Sequence, residues 1–320
     1  MNDDTFMDHV IGQDILKRKF QIYKSSLQKT GMNPFLCFNA PRGYGKTYMI
    51  NEYCKELIDP EGRERPLVEV NASVIKNIDT FFDIWYPKMR DDNAALFIDE
   101  CQMLPKKVQA MLLTVCNKSS NPVRRFRYDR RDVGEVTIPF DFREYCMFFA
   151  TTDVQKLDGA LQDRFTKLTI APYSDEELYL IFEQKLEEMD EDLSVSGEVC
   201  EEIMSVLRGH PRSSFEMADH LRHFAHATGE TYINQTVWDQ FRYSMGIHDY
   251  GLNDTELQIV QIIGQFGAQT LNDLSAKTEC TRGALQQEFE LMLKKKNLLT
   301  IDQKRMLTDK GQTLFRKLFC

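Results

Sequence analysis

The segment Ala40-Pro41-Arg42-Gly43-Tyr44-Gly45-Lys46-Thr47 has the residue types and order of a phosphate-binding turn. A short apolar run, Phe35 to Asn39, precedes it, and a helical pattern follows to about Ile58. In that strand–loop–helix setting the backbone N–H groups of Arg42, Gly43, Tyr44 and Gly45 cradle phosphates at a helix N-terminus, with Tyr48 on the helix's first turn. Lys46 reaches the terminal phosphates and the Thr47 hydroxyl holds Mg²⁺. The first position of the usual pattern is Ala40 rather than glycine, a departure that bends the turn without removing phosphate contacts. Read alone, the segment has a bland alternative, a chance glycine turn.

About fifty residues on, Ala94-Ala95-Leu96-Phe97-Ile98-Asp99-Glu100 is an apolar strand ending in two carboxylates. Beside a phosphate loop, Asp99 is placed to hold Mg²⁺ through water and Glu100 to polarise an attacking water. An isolated Asp-Glu after a strand more often caps the next helix. The phosphate loop upstream tips the balance toward a metal-dependent NTPase.

The elements that must position these residues follow from periodicity. Leu16, Phe20, Tyr23 and Leu27 recur at helical spacing, and Leu67–Val70, Ala94–Ile98 and Cys146–Ala150 are short apolar runs that suit buried parallel strands. The first half therefore reads as α/β. From Ser174 the strand runs disappear; Ser174, Asp175 and Glu177 begin a helix, and Leu178, Ile181, Phe182 and Leu186 keep its period. After a hinge at Gly246–Gly251, three helical stretches lead into two short extended pieces near Leu298–Ile301 and Arg305–Thr308, the order of a winged helix. The expected division is residues 1–172, an α/β core with a β-hairpin insertion near 122–139; 173–247, a helical lid; and 248–320, a winged helix.

Composition narrows the class. With 42% hydrophobic and 28% charged residues the chain is ordinary for a globular protein, and no run of ~18 uncharged apolar residues could span a bilayer. The acidic start lacks the basic-then-apolar order of a secretory signal, which predicts a cytoplasmic protein away from membranes. Eight scattered cysteines show no Cys-x-x-Cys pair and read as reduced thiols, mostly in the core. A net charge of −9 argues against coating nucleic acid by overall charge, though it leaves room for a local basic patch or a ring pore.

With these motifs assembled, the chain resembles the AAA+ ATPases, and within them the RuvB family of bacterial Holliday-junction branch-migration motors, over nearly its whole length. His9-Val10-Ile11-Gly12-Gln13 is similar to the family's opening motif, which places Val10 and Ile11 against the adenine. Leu96–Glu100 with Leu104-Pro105 resembles its Walker B region. Ala150-Thr151-Thr152 resembles sensor 1, with Thr152 at the position that feels the γ-phosphate. Leu161-Gln162-Asp163-Arg164-Phe165 is similar to the arginine-finger motif, and Gly209-His210-Pro211-Arg212 to sensor 2; Tyr173 falls where the family has a tyrosine next to the adenine. The resemblance implies an AAA+ core, a lid and a winged helix, ATP and Mg²⁺ as ligands, and a hexameric ring on duplex arms of branched DNA. It also implies reasons for two arginines: Arg164 stabilises γ-phosphate charge from a neighbouring subunit, and Arg212 touches phosphate from its own.

Between Walker B and sensor 1, arginines alternate with aromatics from Arg124 to Arg131 and a second extended run follows Gly134, which predicts a projecting hairpin. In the resembled family an insertion here docks RuvA; this more basic version leaves DNA, an acidic or RuvA-like protein partner, and plain solvation open. In the C-terminal module, Arg282 at the third helix and Lys304 and Arg305 at the wing suit phosphate contacts, and the family places arginines on DNA where Arg282 and Arg305 stand. Lys294-Lys295-Lys296 equally suits a helix dipole. Besides the translocase reading, a loader-type switch and a DNA-bound scaffold with little turnover stay open.

Overall fold

The structure, a computed structural model, describes residues 6–58, 62, 64–92, 94–116, 123–130, 134–141 and 146–320. They fall into two compact units, Met1–Pro172 and Tyr173–Cys320.

The first unit runs α1 (Asp14–Thr30), β1 (Leu36–Asn39), α2 (Lys46–Lys55), β2 (Leu67–Asn71), α3 (Ile78–Asp92), β3 (Ala95–Asp99), α4 (Lys106–Val115), β4 (Val123–Arg130), β5 (Gly134–Asp141), β6 (Met147–Thr151), α5 (Gly159–Gln162) and β7 (Thr166–Thr169). Five strands form one parallel sheet in the order β2-β3-β6-β1-β7. Every residue of β6 is buried, as is β3 up to Ile98, which is why these strands read as unbroken apolar runs. Alternate side chains fill the two faces. Cys37, Ile98 and Phe149 join Phe81, Val108 and Leu112 in one core. On the other side Phe20 stacks on Tyr53 at 4.2 Å and Tyr53 meets Phe148 edge-on at 5.9 Å. The Tyr53 hydroxyl donates to Asn33 at 3.1 Å, so α2, which carries the phosphate loop's lysine, is locked to the sheet.

Strand register brings the chemistry together. Asn39 lies opposite Thr151, and Asn71 opposite Asp99. The loops leaving β1, β3 and β6 therefore open at one carboxyl edge, where open α/β sheets bind ligands.

β4 and β5 pair antiparallel from Val123↔Asp141 to Arg130↔Gly134. This hairpin does not simply project. Ile138 is buried in the same core as Phe149, and Val136 packs against it. Arg130 pairs with Asp83 of α3 at 3.0 Å, while Glu135, Thr137, Arg127 and Asp129 stay exposed. Two-residue alternation explains this: one face of the ribbon is a lid on the core.

The second unit runs α6 (Asp175–Met189), β8 (Ser194–Val195), α7 (Cys200–Val206), α8 (Pro211–Thr228), β9 (Tyr232–Ile233), α9 (Gln235–Ser244), α10 (Asp254–Phe266), α11 (Leu271–Thr278), α12 (Arg282–Ala284), α13 (Glu290–Lys295), β10 (Leu299–Ile301), β11 (Arg305–Leu307) and α14 (Asp309–Phe319). Ser174 and Glu177 form a reciprocal cap on α6, and Asn253 and Glu256 do the same for α10. The third stretch of the C-terminal module is not one uniform helix: Leu285–Phe289 is a π turn between α12 and α13. The hairpin β10–β11 then follows, so the order of elements is that expected of a winged helix.

A buried tie joins the end of α7 to α10. Arg208 donates to the two Glu256 oxygens at 3.0 and 2.6 Å and to the Gly251 carbonyl at 3.0 Å. The Glu256 side chain is fully buried. Gly251, at φ +69°, has its would-be Cβ 2.1 Å from the Val206 carbonyl oxygen, so only glycine permits this approach. Among the described residues no helix is long and apolar enough to cross a membrane. All eight cysteines are unpaired, and five are buried.

Candidate functional site

The phosphate loop leaves β1 with Gly43 at φ +80° and Gly45 at φ +84°, left-handed values that need glycine and turn successive N–H groups toward the mouth of α2. Ala40 is buried and has no positive φ, so its methyl replaces the usual glycine hydrogen without backbone strain. Its N–H donates to Thr151 O at 3.3 Å, fixing the loop to β6. Lys46 is buried, and its ammonium donates to Ala40 O and Pro41 O at 2.9 and 3.0 Å, which arches it across the loop. Thr47 is half-buried on the first turn of α2, with Tyr48 exposed beyond it. The Thr47 hydroxyl and the half-buried Asp99 carboxylate are hard oxygen donors of the kind Mg²⁺ takes, so the residues present fit the cation.

Glu100 adopts φ 51°, ψ 42°, rare for a residue with a side chain, and its N–H donates to Asp99 Oδ1 at 2.8 Å. Glu100 Oε2 accepts from Gln102 Nε2 and, at 3.2 Å, from the Thr152 hydroxyl; Oε1 lies 3.4 Å from Arg42 Nε. Burial pushes the Glu100 carboxyl up, but the hydrogen bonds from Gln102 and Thr152, with the charges of Arg42 and Lys46, outweigh it and hold the group below its usual range. The group is therefore an anion near neutral pH, as acceptance of a water proton requires. Burial and the charge of Asp99 push Glu69 of β2 the other way.

The opening segment is fastened at three points. Lys17 donates to Val10 O, His9 Nε2 bonds Glu52 Oε2 at 2.8 Å, and the Gln13 side chain both donates to and accepts from the Ala171 backbone at 2.9 Å. Val10 is buried and Ile11 half-buried. Arg164 is half-buried, donating from Nε to Leu113 O at 3.0 Å and from Nη1 to Ala160 O at 2.6 Å.

In the second unit, Tyr173 is buried just before the α6 cap. Arg212 is exposed on the first turn of α8, after His210, whose Nδ1 accepts from Ser213 N at 3.1 Å, and Pro211 at N1. Arg282 is exposed behind the Thr281 cap, and Lys304 is exposed at the wing.

Arg305 is a correction. It is buried at 8% exposure and pairs with Glu290, itself 4% exposed, so its guanidinium is not turned out for a phosphate. Its backbone also bonds Gln269 in both directions, at 2.8 and 3.0 Å. Of the basic hairpin, Arg127 is exposed and 3.9 Å from Glu135, and Arg130 is engaged by Asp83; Arg131 lies outside the described residues. Gln102 and Glu290 were not legible as support residues, because Gln102 is anchored by Thr151, 49 residues on, and Glu290 by Arg305 of the following hairpin.

Residues 36–173 match a family described as "ATPase family associated with various cellular activities (AAA)". The parallel sheet, its phosphate loop and the paired carboxylates at its edge thus lie in an AAA-type ATPase domain. Beyond that domain, the chain is similar to RuvB proteins over nearly its full length. It is 22% identical over 297 residues to the Holliday junction branch migration complex subunit RuvB of Campylobacter hominis, covering 89% of this chain and 81% of that protein. It is 25% identical over 317 residues to the corresponding subunit of Ehrlichia ruminantium, covering 95% and 89%. Among solved structures, the Thermotoga maritima RuvB Holliday junction branch migration motor superposes with a TM-score of 0.73 at 22% identity, over 97% of this chain and 96% of that one.

Proposed function

We propose that this ATPase is a DNA translocase that acts as a ring, with six subunits the expected number, on duplex arms of branched DNA in recombination or repair. The observation that carries the reading is the convergence of Glu100, Thr152, Arg42 and Lys46 at one sheet edge, in a chain whose C-terminal helices and hairpin end in the exposed cations Arg282 and Lys304. The names of the relatives support branched DNA as the substrate.

In this reading the amides of Arg42–Gly45 bind the phosphates, Lys46 neutralises the terminal ones, and Val10, Ile11 and Tyr173 meet the base. Thr47 and Asp99 hold Mg²⁺, which supplies charge neutralisation on the phosphate oxygens when bound. Glu100 takes the proton of the attacking water, and Thr152 and Arg212 sense the γ-phosphate. Arg164 acts on a neighbouring subunit, which requires it to leave Leu113 O and Ala160 O. Contact between the outer face of the β4–β5 hairpin and a RuvA-like protein is part of the proposal.

The inward turn of Arg305 favours one second reading, a DNA-bound scaffold with little turnover, because it removes a cation from the wing. ATP turnover with and without a four-way DNA junction separates the two. A motor is stimulated several-fold; a turnover unaffected by junction DNA, despite measured binding, rejects the translocase reading.

A further inference from the structure

We propose that Gln102 is a positioning residue for hydrolysis: its side-chain amide ties the Glu100 carboxylate to the end of β6. The proposal rests on the reading of Glu100 as the group that orients water. Gln102 sits in the tight turn Cys101–Met103 directly after Glu100, half-buried. Its Oε1 accepts the Thr151 hydroxyl at 2.6 Å. Thr151 is fully buried, its oxygen accepts the Asp153 N–H at 3.0 Å, and its proton goes to Gln102. A carboxylate only accepts, so the contact with Glu100 fixes which way round the amide lies. The NH₂ group is left facing Glu100 Oε2 and, at 3.2 Å, the Thr152 hydroxyl.

A glutamate has three rotatable bonds, and an unrestrained carboxylate spends little time in any one pose. Displacement of a catalytic group by about 1 Å can cost on the order of 10²-fold in rate. Of the three groups on Glu100, Arg42 belongs to the phosphate loop and Thr152 is the hydroxyl assigned to the γ-phosphate; both have competing duties once nucleotide is present. Gln102 has none. It is anchored from behind by a buried strand residue, which makes it the tie that persists through the cycle.

The test is a double-mutant cycle in the full chain. Gln102→Met keeps the shape and loses the hydrogen bonds, while Gln102→Glu places an anion beside Glu100; both are made alone and with Glu100→Gln. Alone, each variant should lower kcat by about tenfold or more, with KM and the affinity for a fluorescent ATP analogue within about twofold of wild type. Combined with Glu100→Gln, neither should lower the residual turnover further, because its route to the chemistry is already cut. Gln102→His, which keeps a ring N–H, should recover part of the loss. Wild-type kcat in Gln102→Met, or equal fractional losses in both backgrounds, overturns the proposal while leaving the role of Glu100 standing. Wild-type turnover by Glu100→Gln alone removes that role and the proposal together.

Discussion

Arg305 on the wing strand and Glu290 on α13 meet through two contacts, Nε–Oε1 at 2.8 Å and Nη2–Oε2 at 3.3 Å, with side chains 10% and 5% exposed. A planar guanidinium engaging a carboxylate twice is the stronger form of ion pair, and its burial changes what removal costs. Arg305→Ala leaves Glu290 charged and buried without its partner, so denaturant unfolding of the second unit should show a loss of about 3–5 kcal/mol. Replacing both with methionine should restore most of it. A loss below about 1 kcal/mol for Arg305→Ala would mean that the pair behaves like a surface contact.

With Arg305 turned inward, the proposed phosphate contacts of the C-terminal module fall to Arg282 and Lys304. Each contacted phosphate releases counterions, so each alanine substitution should reduce the log–log salt slope of duplex binding by about one unit, equally on unrelated sequences. Basal ATP turnover should not change. Unaltered affinity and slope in the double variant would move the main contact to the β4–β5 hairpin, where Arg127 is exposed.

The chemistry-bearing loops were legible because their signals are local: a glycine turn after an apolar run, and two carboxylates after another. The sheet's buried strands were legible for the same reason. The tie behind Glu100 was not, since Thr151 and Gln102 are brought together by the pairing of β3 with β6 across 49 residues. Arg305 was misread for a different reason. A wing residue is ordinarily solvated, and helical counting at 3.6 residues per turn fails across Leu285–Phe289, where a π turn brings residue i+5 beside residue i. Leu285 and Glu290 thereby share the inward face, and Arg305 has a buried carboxylate to meet. In the hairpin, Val136 and Ile138 carried the two-residue period of a half-buried ribbon, a signal outweighed by the arginines of β4.

Glu100→Gln should keep nucleotide binding and lower turnover about 10²-fold, the usual worth of a positioned base. Lys46→Ala should lose both, because its ammonium is the cation arched over the loop. Steady-state turnover beside equilibrium nucleotide titration checks the pair; Lys46→Ala with wild-type affinity would contradict the assignment of the loop.

Arg164→Ala should bind ATP almost normally and fail to hydrolyse it. Because the proposed target is a neighbouring subunit's phosphate, mixing Arg164→Ala with Lys46→Ala chains should restore part of the activity where an intact arginine meets an intact loop. No recovery in assemblies shown to be mixed would leave Arg164 to its in-chain contacts with Leu113 and Ala160.

Arg208, three residues before α8, grips Glu256 near the start of α10 through two hydrogen bonds. In the motor proposed above this tie would serve as a crank, an angle applied at Arg208 being delivered as a distance at the far end of α10. That helix has 13 residues, so its arm is about 20 Å, and a rotation of about 10° at Arg208 would swing its tip by about 3.5 Å. The rise of one base pair is about 3.4 Å. In the translocase proposed above, a stiff joint makes the throw a property of geometry, and a loosened one, as in Glu256→Gln, should waste part of each stroke, countable as more ATP consumed per base pair travelled.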